Sequence, residues 1–262
     1  GTSPTVRAQS AEMSSRGIGD VVEVRNLSEQ AYDRIRHDIL YGELFPNEKL
    51  QIDAISERYG IGAVPVREAL NRLSSEGLVD RKSHRGFFVA TISMADLEEL
   101  VKTRVWLETL ALEQSMRNAD EAWEDALVVS YHRLARTQRL LPTETGREIS
   151  EEWEVRHKAF HLLLLDRCGS SWLLGFCSTL MDQAVRYRNL SMNTNPSKLR
   201  REGAAAEHQA ILNAVLERNV ELAFQLLTEH YHITLEGLRK VIPSQSDSDM
   251  PQSRRAGGGS LR

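Results

Sequence analysis

The most constraining stretch of the chain runs from Asp53 to Ala90, where two helical periods meet across a three-residue turn and give way to an extended hairpin. Asp53 is a cap residue for a short helix whose Ile55 and Tyr59 face inward. Gly60-Ile61-Gly62 turns the chain, and Pro65 falls in the first turn of the next helix, where a missing N–H is harmless. That helix carries Val66, Ala69, Leu70 and Leu73 inward and stops at Gly77. From Leu78 to Ala90 the period changes to Leu-Val, a charged tip at Arg81-Lys82-Ser83-His84-Arg85-Gly86, and Phe-Phe-Val, which reads as two extended arms around a glycine-containing tip. Upstream, Ser28 caps a helix through Tyr41 with Ala31, Ile35 and Ile39 on one apolar face, ended by Gly42 and Pro46.

Helix, short helix, tight turn, helix, hairpin is the order of a winged helix-turn-helix over residues 28–90, with the third helix shaped for the major groove and the wing for the backbone or minor groove. Net charge over all 262 residues is −4, so the whole-molecule field repels nucleic acid and a local basic patch must do the work. Between Arg58 and Ala90 there are six Arg and Lys against three Asp and Glu. Arg67 and Arg72 lie on the outer side of the third helix, and Arg81, Lys82 and Arg85 crowd the wing tip. By charge alone the same residues also suit a solvated face. The motifs go further: Ile39-Leu40-Tyr41-Gly42-Glu43-Leu44, Pro46-Asn47-Glu48-Lys49-Leu50, Pro65-Val66-Arg67-Glu68-Ala69-Leu70, Glu76-Gly77-Leu78-Val79 and Arg85-Gly86-Phe87-Phe88-Val89. This series resembles the N-terminal domain of GntR-type bacterial transcriptional regulators across essentially its whole length. Arg36, Lys49, Arg58, Arg67, Arg72, Lys82, His84, Arg85 and Gly86 are the candidate DNA-contacting residues, and the resemblance makes Arg67 a phosphate- or base-contacting arginine. Two departures stand out. Gly62-Ala63-Val64 replaces the family's Ser/Thr-Arg-Thr, which alters base readout at the start of the recognition helix, and Asn47 replaces Gly, where Asn also tolerates positive φ.

Residues 91–242 read as an all-helical bundle, so the chain is expected to be mainly α. Ser93 with Asp96 resembles a capping box opening a long helix to about Arg117. Further helical periods cover roughly 120–140, 146–167, 171–191, 198–218 and 219–241, punctuated by Pro142, Gly169, Pro196 and Asn219. Residues 1–27 read as a flexible N-terminal arm and 243–262 as a disordered tail rich in Ser, Asp, Gly and Gln. Composition, 41% hydrophobic and 27% charged, is that of a globular protein, and no apolar run is long enough for a bilayer. No secretory signal is readable, and the only cysteines, Cys168 and Cys177, suit core positions in a reducing bacterial cytoplasm.

His157 and His161 project from one helical face, and His208 and His230 sit on two later helices. Such a set either converges on one ion in a bundle core or serves as hydrogen-bonded core residues. Arg104-Val-Trp-Leu-Glu108, Phe160-His161, Glu207-His208-Gln-Ala-Ile211 and His230 resemble the FCD ligand-binding domain of one GntR branch over about residues 94–240. The resemblance implies a divalent metal on His157, His161, His208 and His230, with His157 standing where Asp is common. An all-imidazole set favours Zn or Ni, with Fe, Co, Cu or Mn also compatible. It further implies a small organic-acid or sugar-acid effector, for which Arg104, Arg186 and Asn189 are the candidate contacts, with Arg104 pairing Glu108 as its plain structural alternative. The resulting expectation is a homodimeric repressor on a pseudo-palindromic double-stranded operator, with no membrane partner. A regulator with a metal-free pocket for an apolar or acyl effector is the alternative. A metal-dependent enzyme is disfavoured, because Lys158 follows His157 where a His-Glu-x-x-His helix needs its base, and nucleophile-elbow and phosphate-loop patterns are missing.

Overall fold

A computed structural model of the chain describes residues 16–143, 146–194 and 198–240. In chain order the elements are α1 (Arg16–Tyr41), β1 (Lys49–Leu50), α2 (Ile52–Tyr59), α3 (Ala63–Ser75), β2 (Val79–Lys82), β3 (Gly86–Val89), α4 (Met94–Arg117), α5 (Glu121–Ala135), β4 (Leu140–Thr143), β5 (Gly146–Ile149), α6 (Glu151–Leu165), α7 (Ser171–Thr194), α8 (Lys198–Leu216) and α9 (Val220–Arg239). They form two compact units. One takes the residues up to Thr91 with Gln138–Lys158 and Gly175–Leu190, and the other takes Ile92–Thr137, Ala159–Leu174 and the chain from Ser191 onward.

The first unit contains the winged helix-turn-helix. Ala31, Ile35 and Ile39 of α1 meet Val66, Ala69, Leu70 and Leu73 of α3 in a continuous buried core, joined by Val185 of α7. The helix expected to begin at Ser28 begins at Arg16 instead. Nothing from Asp20 to Leu27 breaks a helix, and a serine inside one costs only a few tenths of a kcal/mol. Ser28 caps nothing, and its hydroxyl donates to Glu68. Likewise Gln51, not Asp53, occupies the cap position of α2, leaving Asp53 in the first turn, where an acidic group suits the helix dipole. Gly60 closes α2 at φ 66°, and its N–H returns to the Ser56 carbonyl.

The wing carries an extra strand. β1 pairs with β3, so the sheet order is β1-β3-β2, with Leu50 opposite Phe87 and Arg81 opposite the same Phe87 on the other side. Asn47 turns the chain into β1 at φ 66°, as its tolerance of positive φ leads one to expect, and its N–H donates to the Val89 carbonyl at 2.9 Å. A two-residue strand has too short a pattern to stand out in sequence.

The α7 segment of this unit holds the ends of the winged-helix elements. Gln183 donates to the Glu76 carbonyl at the C-terminus of α3 at 2.7 Å, and Asn189 donates to the Leu40 carbonyl in the last turn of α1 at 3.0 Å. Arg186 donates to the Ala90 carbonyl just past β3. Beside them, Asp182 accepts from both Arg36 of α1 and Lys158 of α6, each at 2.7 Å. The β4–β5 hairpin also belongs here, with Leu140 opposite Ile149. It departs from the all-helical pattern expected for 91–242: the helix expected over 120–140 ends at Ala135, residues 146–149, read as the start of a helix, form β5, and α6 begins only at Glu151. Pro142 and Gly146 both disfavour a helix interior.

In the second unit α4 starts with Ser93 accepting from the Asp96 N–H at 3.1 Å, and α5 and α9 are capped in the same manner by Asp120 and Asn219. Leu97, Leu112, Trp123, Leu127, Phe160, Leu164, Ile211 and Val215 are fully or almost fully buried. The Trp123 indole N–H donates to the Leu163 carbonyl at 2.7 Å. Cys168 in this unit and Cys177 in the first are both buried. The expected tail at 243–262 and the first fifteen residues of the expected arm lie outside the described residues.

Between α1 and α6 in the first unit, His37 bonds Glu151 at 2.6 Å and Asp38 at 3.2 Å. Burial opposes protonation of His37, but the two carboxylate hydrogen bonds outweigh it and hold its pKa above the ordinary 6.5. A raised folded-state pKa contributes stability that is complete below the unfolded value and is lost as pH rises through the folded one. The His37→Gln variant is therefore expected to melt below the parent at pH 6, with the gap closing by pH 8. Thermal denaturation at both values checks this, and an equal gap at both would show that His37 acts by packing alone.

Candidate nucleic-acid interface and histidine cluster

The N-terminus of α3, β1 and the wing frame one concave surface. Lys49, Gln51, Ala63, Arg67, Arg81, Lys82, His84 and Gly86 all line it. The wing tip reaches it because His84 and Gly86 take positive φ, 59° and 95°, closing a tight turn with the Arg85 N–H on the Lys82 carbonyl at 3.0 Å. Lys82 reaches Asn47 at 3.2 Å and lies over the Phe88 ring, so its stem is steadied while Arg67 and Arg81 stay exposed. Arg85 is exposed at the tip, over Phe88.

Three members of the candidate set are engaged elsewhere. Arg36 pairs with Asp182, Arg58 pairs with Asp38 at 2.8 Å, and Arg72 stacks 3.8 Å above the Tyr32 ring with its Nε 3.4 Å from Glu76. Helical periodicity put Arg72 on an outer face, but the acidic partners of all three come from distant chain positions or from the neighbouring turn. Conversely, Arg81 and Gln51 line the surface without belonging to the candidate set. Arg81 stands directly opposite Phe87 on the same face of the wing, its guanidinium 6.0 Å from that ring's centroid, and its place in the charged wing tip is the signal that the sequence contains. Gln51 needs β1, which the sequence does not announce.

The four histidines come together. His157, His161, His208 and His230 are all buried, and each offers a ring nitrogen such that these atoms lie within 4.8 Å of one another. Two rings have their outer nitrogen engaged. His230 Nδ1 meets Glu207 at 2.6 Å, and His161 Nδ1 meets the Tyr231 hydroxyl at 3.2 Å. The Tyr231 hydroxyl donates to Glu108, which in turn accepts from Arg104 Nε at 2.6 Å. A phenol donating its proton to Glu108 accepts from His161 Nδ1–H, which leaves the Nε2 lone pair facing inward. His161 Nε2 and His208 Nε2 stand 3.1 Å apart. His157 stacks on Trp153, ring centroids 4.5 Å apart and nearly parallel, which fixes its plane. Buried imidazoles, two of them oriented by outer hydrogen bonds and a third by stacking, are the donor set a borderline divalent cation requires.

Of the three candidate effector contacts, Arg104 joins this network through Glu108 and Tyr231, with its guanidinium 4.2 Å from the Tyr231 ring centroid. The i, i+4 pairing that sequence offered as its alternative is therefore formed. Arg186 and Asn189 share a flank of α7 with Gln183 and donate to the Ala90 and Leu40 carbonyls, groups that need donors because they end β3 and α1. Glu207 and Tyr231, which complete the outer ring of bonds, carry no signal in sequence spacing, since each acts on a histidine that only the packed helices bring near.

Comparison with known proteins agrees with both halves. The gntR family of bacterial regulatory proteins matches residues 27–89, and the FCD domain matches residues 99–232. The chain is 36% identical over 224 residues to BphR, an uncharacterised HTH-type transcriptional regulator of Paraburkholderia xenovorans (strain LB400), covering 84% of this chain and 88% of that protein. It is 30% identical over 200 residues to the HTH-type transcriptional repressor GlaR of Escherichia coli (strain K12), covering 76% and 90%. Among solved structures, E. coli McbR/YncC shares the fold with a TM-score of 0.66 at 22% identity, over 82% of this chain and 97% of that one. The chain thus belongs to the GntR family, in the branch that carries an FCD domain, and is a transcriptional regulator rather than an enzyme.

Proposed function

We propose that the protein is a homodimeric, metal-dependent repressor: residues 28–90 grip an operator half-site, and residues 91–242 sense a small organic-acid or sugar-acid effector. The observation that carries this reading is the convergence of four buried imidazoles, those of His161 and His230 with their outer nitrogens already engaged. His157, His161, His208 and His230 would hold the ion, Zn or Ni first by donor chemistry, with Fe, Co, Cu or Mn also compatible. The ion supplies a Lewis-acidic position for an effector carboxylate. Glu207 and Tyr231 orient His230 and His161, and Glu108 with Arg104 orients Tyr231, so Arg104 acts at a remove rather than on the effector itself. Repression is supported by the repressor name of the relative GlaR. Trp106 and Leu110, one turn apart on α4 and 61% and 48% exposed, supply the dimer face. The place of action is the bacterial cytoplasm, where the operator is, and no helix among the described residues is long and apolar enough to cross a membrane.

Native mass spectrometry is expected to show a dimer with one transition-metal ion per chain, stripped by a chelator and restored by added Zn or Ni. Bare chains that ignore both metals would make the histidines a hydrogen-bonded core, as the His161–His208 and His230–Glu207 contacts also permit, and would favour a metal-free pocket for an apolar or acyl effector. Tyr231→Phe is expected to weaken Zn binding by about 10-fold or more while leaving the dimer intact, measured by competition with a chromogenic chelator. On the DNA side, Arg67→Ala should weaken operator binding and lower the log–log salt slope by about one. Unchanged binding would remove Arg67 from the interface. Effector is expected to loosen the complex in a gel shift, and tightening would reverse the assigned direction.

A further inference from the structure

The first turn of α3 offers no hydrogen-bonding side chain. Gly62 caps it without a side-chain bond, and Ala63, Val64 and Pro65 follow. Val64 is 67% exposed, although Val66 two residues on is completely buried. Arg67 stands one turn beyond Val64, on the same outward side, and is exposed as well. Ala63 and Arg67 both line the concave surface that Lys49, Arg81 and Lys82 make basic. A solvent-exposed valine set among cations has no packing role within the chain's own core.

In a helix that reads the major groove, the N-terminal residues are the ones that meet base edges. The major-groove edge of a base pair presents donors and acceptors, the small C5–H of cytosine, and one sizeable apolar group, the 5-methyl of thymine. A valine or alanine pressed on a cytosine amino group or a purine acceptor would dry it without replacing its hydrogen bond, an unfavourable exchange. Against a thymine methyl the same side chains bury apolar surface at no polar cost.

We propose that this regulator selects thymine in its operator half-site by apolar contact of Val64, supported by Ala63, with the 5-methyl group, beside the phosphate or base edge that Arg67 engages. This deepens the DNA-binding reading and is independent of the metal and the effector.

The test is selection of full-length protein on a library of random-sequence DNA duplexes, followed by synthesis of the enriched half-site with each thymine in turn replaced by deoxyuridine, which removes only the methyl. One replacement is expected to raise Kd about fourfold, the worth of one buried methyl-sized group. Val64→Ala should bind the thymine and deoxyuridine duplexes within about twofold of each other at that position, and it should melt like the parent because Val64 is exposed. An enriched half-site in which no deoxyuridine replacement changes Kd overturns the proposal while leaving DNA binding intact. A methyl penalty that persists in Val64→Ala also overturns it. Failure to enrich any sequence overturns the DNA-reading assignment of α3 together with the proposal.

Discussion

Three carbonyls, at the ends of α1, α3 and β3, set the terms for the first compact unit. A helix leaves its last carbonyls without intrahelical partners, and a strand end does the same once its ladder stops. Where such groups are screened from water, each needs a donor or costs roughly 1–3 kcal/mol. Gln183, Arg186 and Asn189 supply those donors to the Glu76, Ala90 and Leu40 carbonyls. Their spacing of three along α7 lets one helix serve all three sites. Asp182, beside them, binds Arg36 and Lys158 at once, so α1 and α6 share an anchor. The DNA-reading fold is therefore completed by side chains far along the chain, and the unit boundary follows packing rather than chain order.

The histidine cluster obeys the same rule of finished hydrogen bonding. Buried imidazoles with a loose second nitrogen would rotate or swap tautomers, and the outer contacts to Glu207 and Tyr231 prevent that for two of the rings. Arg104 is the far end of this chain of contacts. It is buried at 5% exposure, and such a cation needs the partner that Glu108 provides four residues along the same helix.

Much of this was legible in the sequence because it rests on local periodicity. The α3 face of Val66, Ala69, Leu70 and Leu73, the Ser93 cap and the wing's Phe-Phe-Val arm all follow from repeats of 3.6 or 2 residues. The four histidines were legible as candidates for the same reason, since helix spacing and family resemblance both point to them. What escaped was set by long-range partners. Nothing local tells that Arg186 and Asn189 face stranded carbonyls, that Arg58 is taken by Asp38, or that two residues at Lys49 and Leu50 form a strand. The early start of α1 escaped for a different reason: Ser28 is a good cap, but a helix that already has apolar residues upstream has no need of one there.

The basic wing also bears on how the protein behaves before it meets DNA. β3 is the middle strand, paired on both sides, so its backbone edge is not on offer to a neighbouring molecule. β2 is an outer strand, and an outer strand is a template for pairing with another chain. Three of its four residues, Asp80, Arg81 and Lys82, are charged. Two copies brought edge to edge would have to strip these side chains of water, and an antiparallel pairing centred on Arg81 would set that arginine against its own copy. The cations that suit the wing to phosphate thus also guard it from aggregation while no DNA is bound.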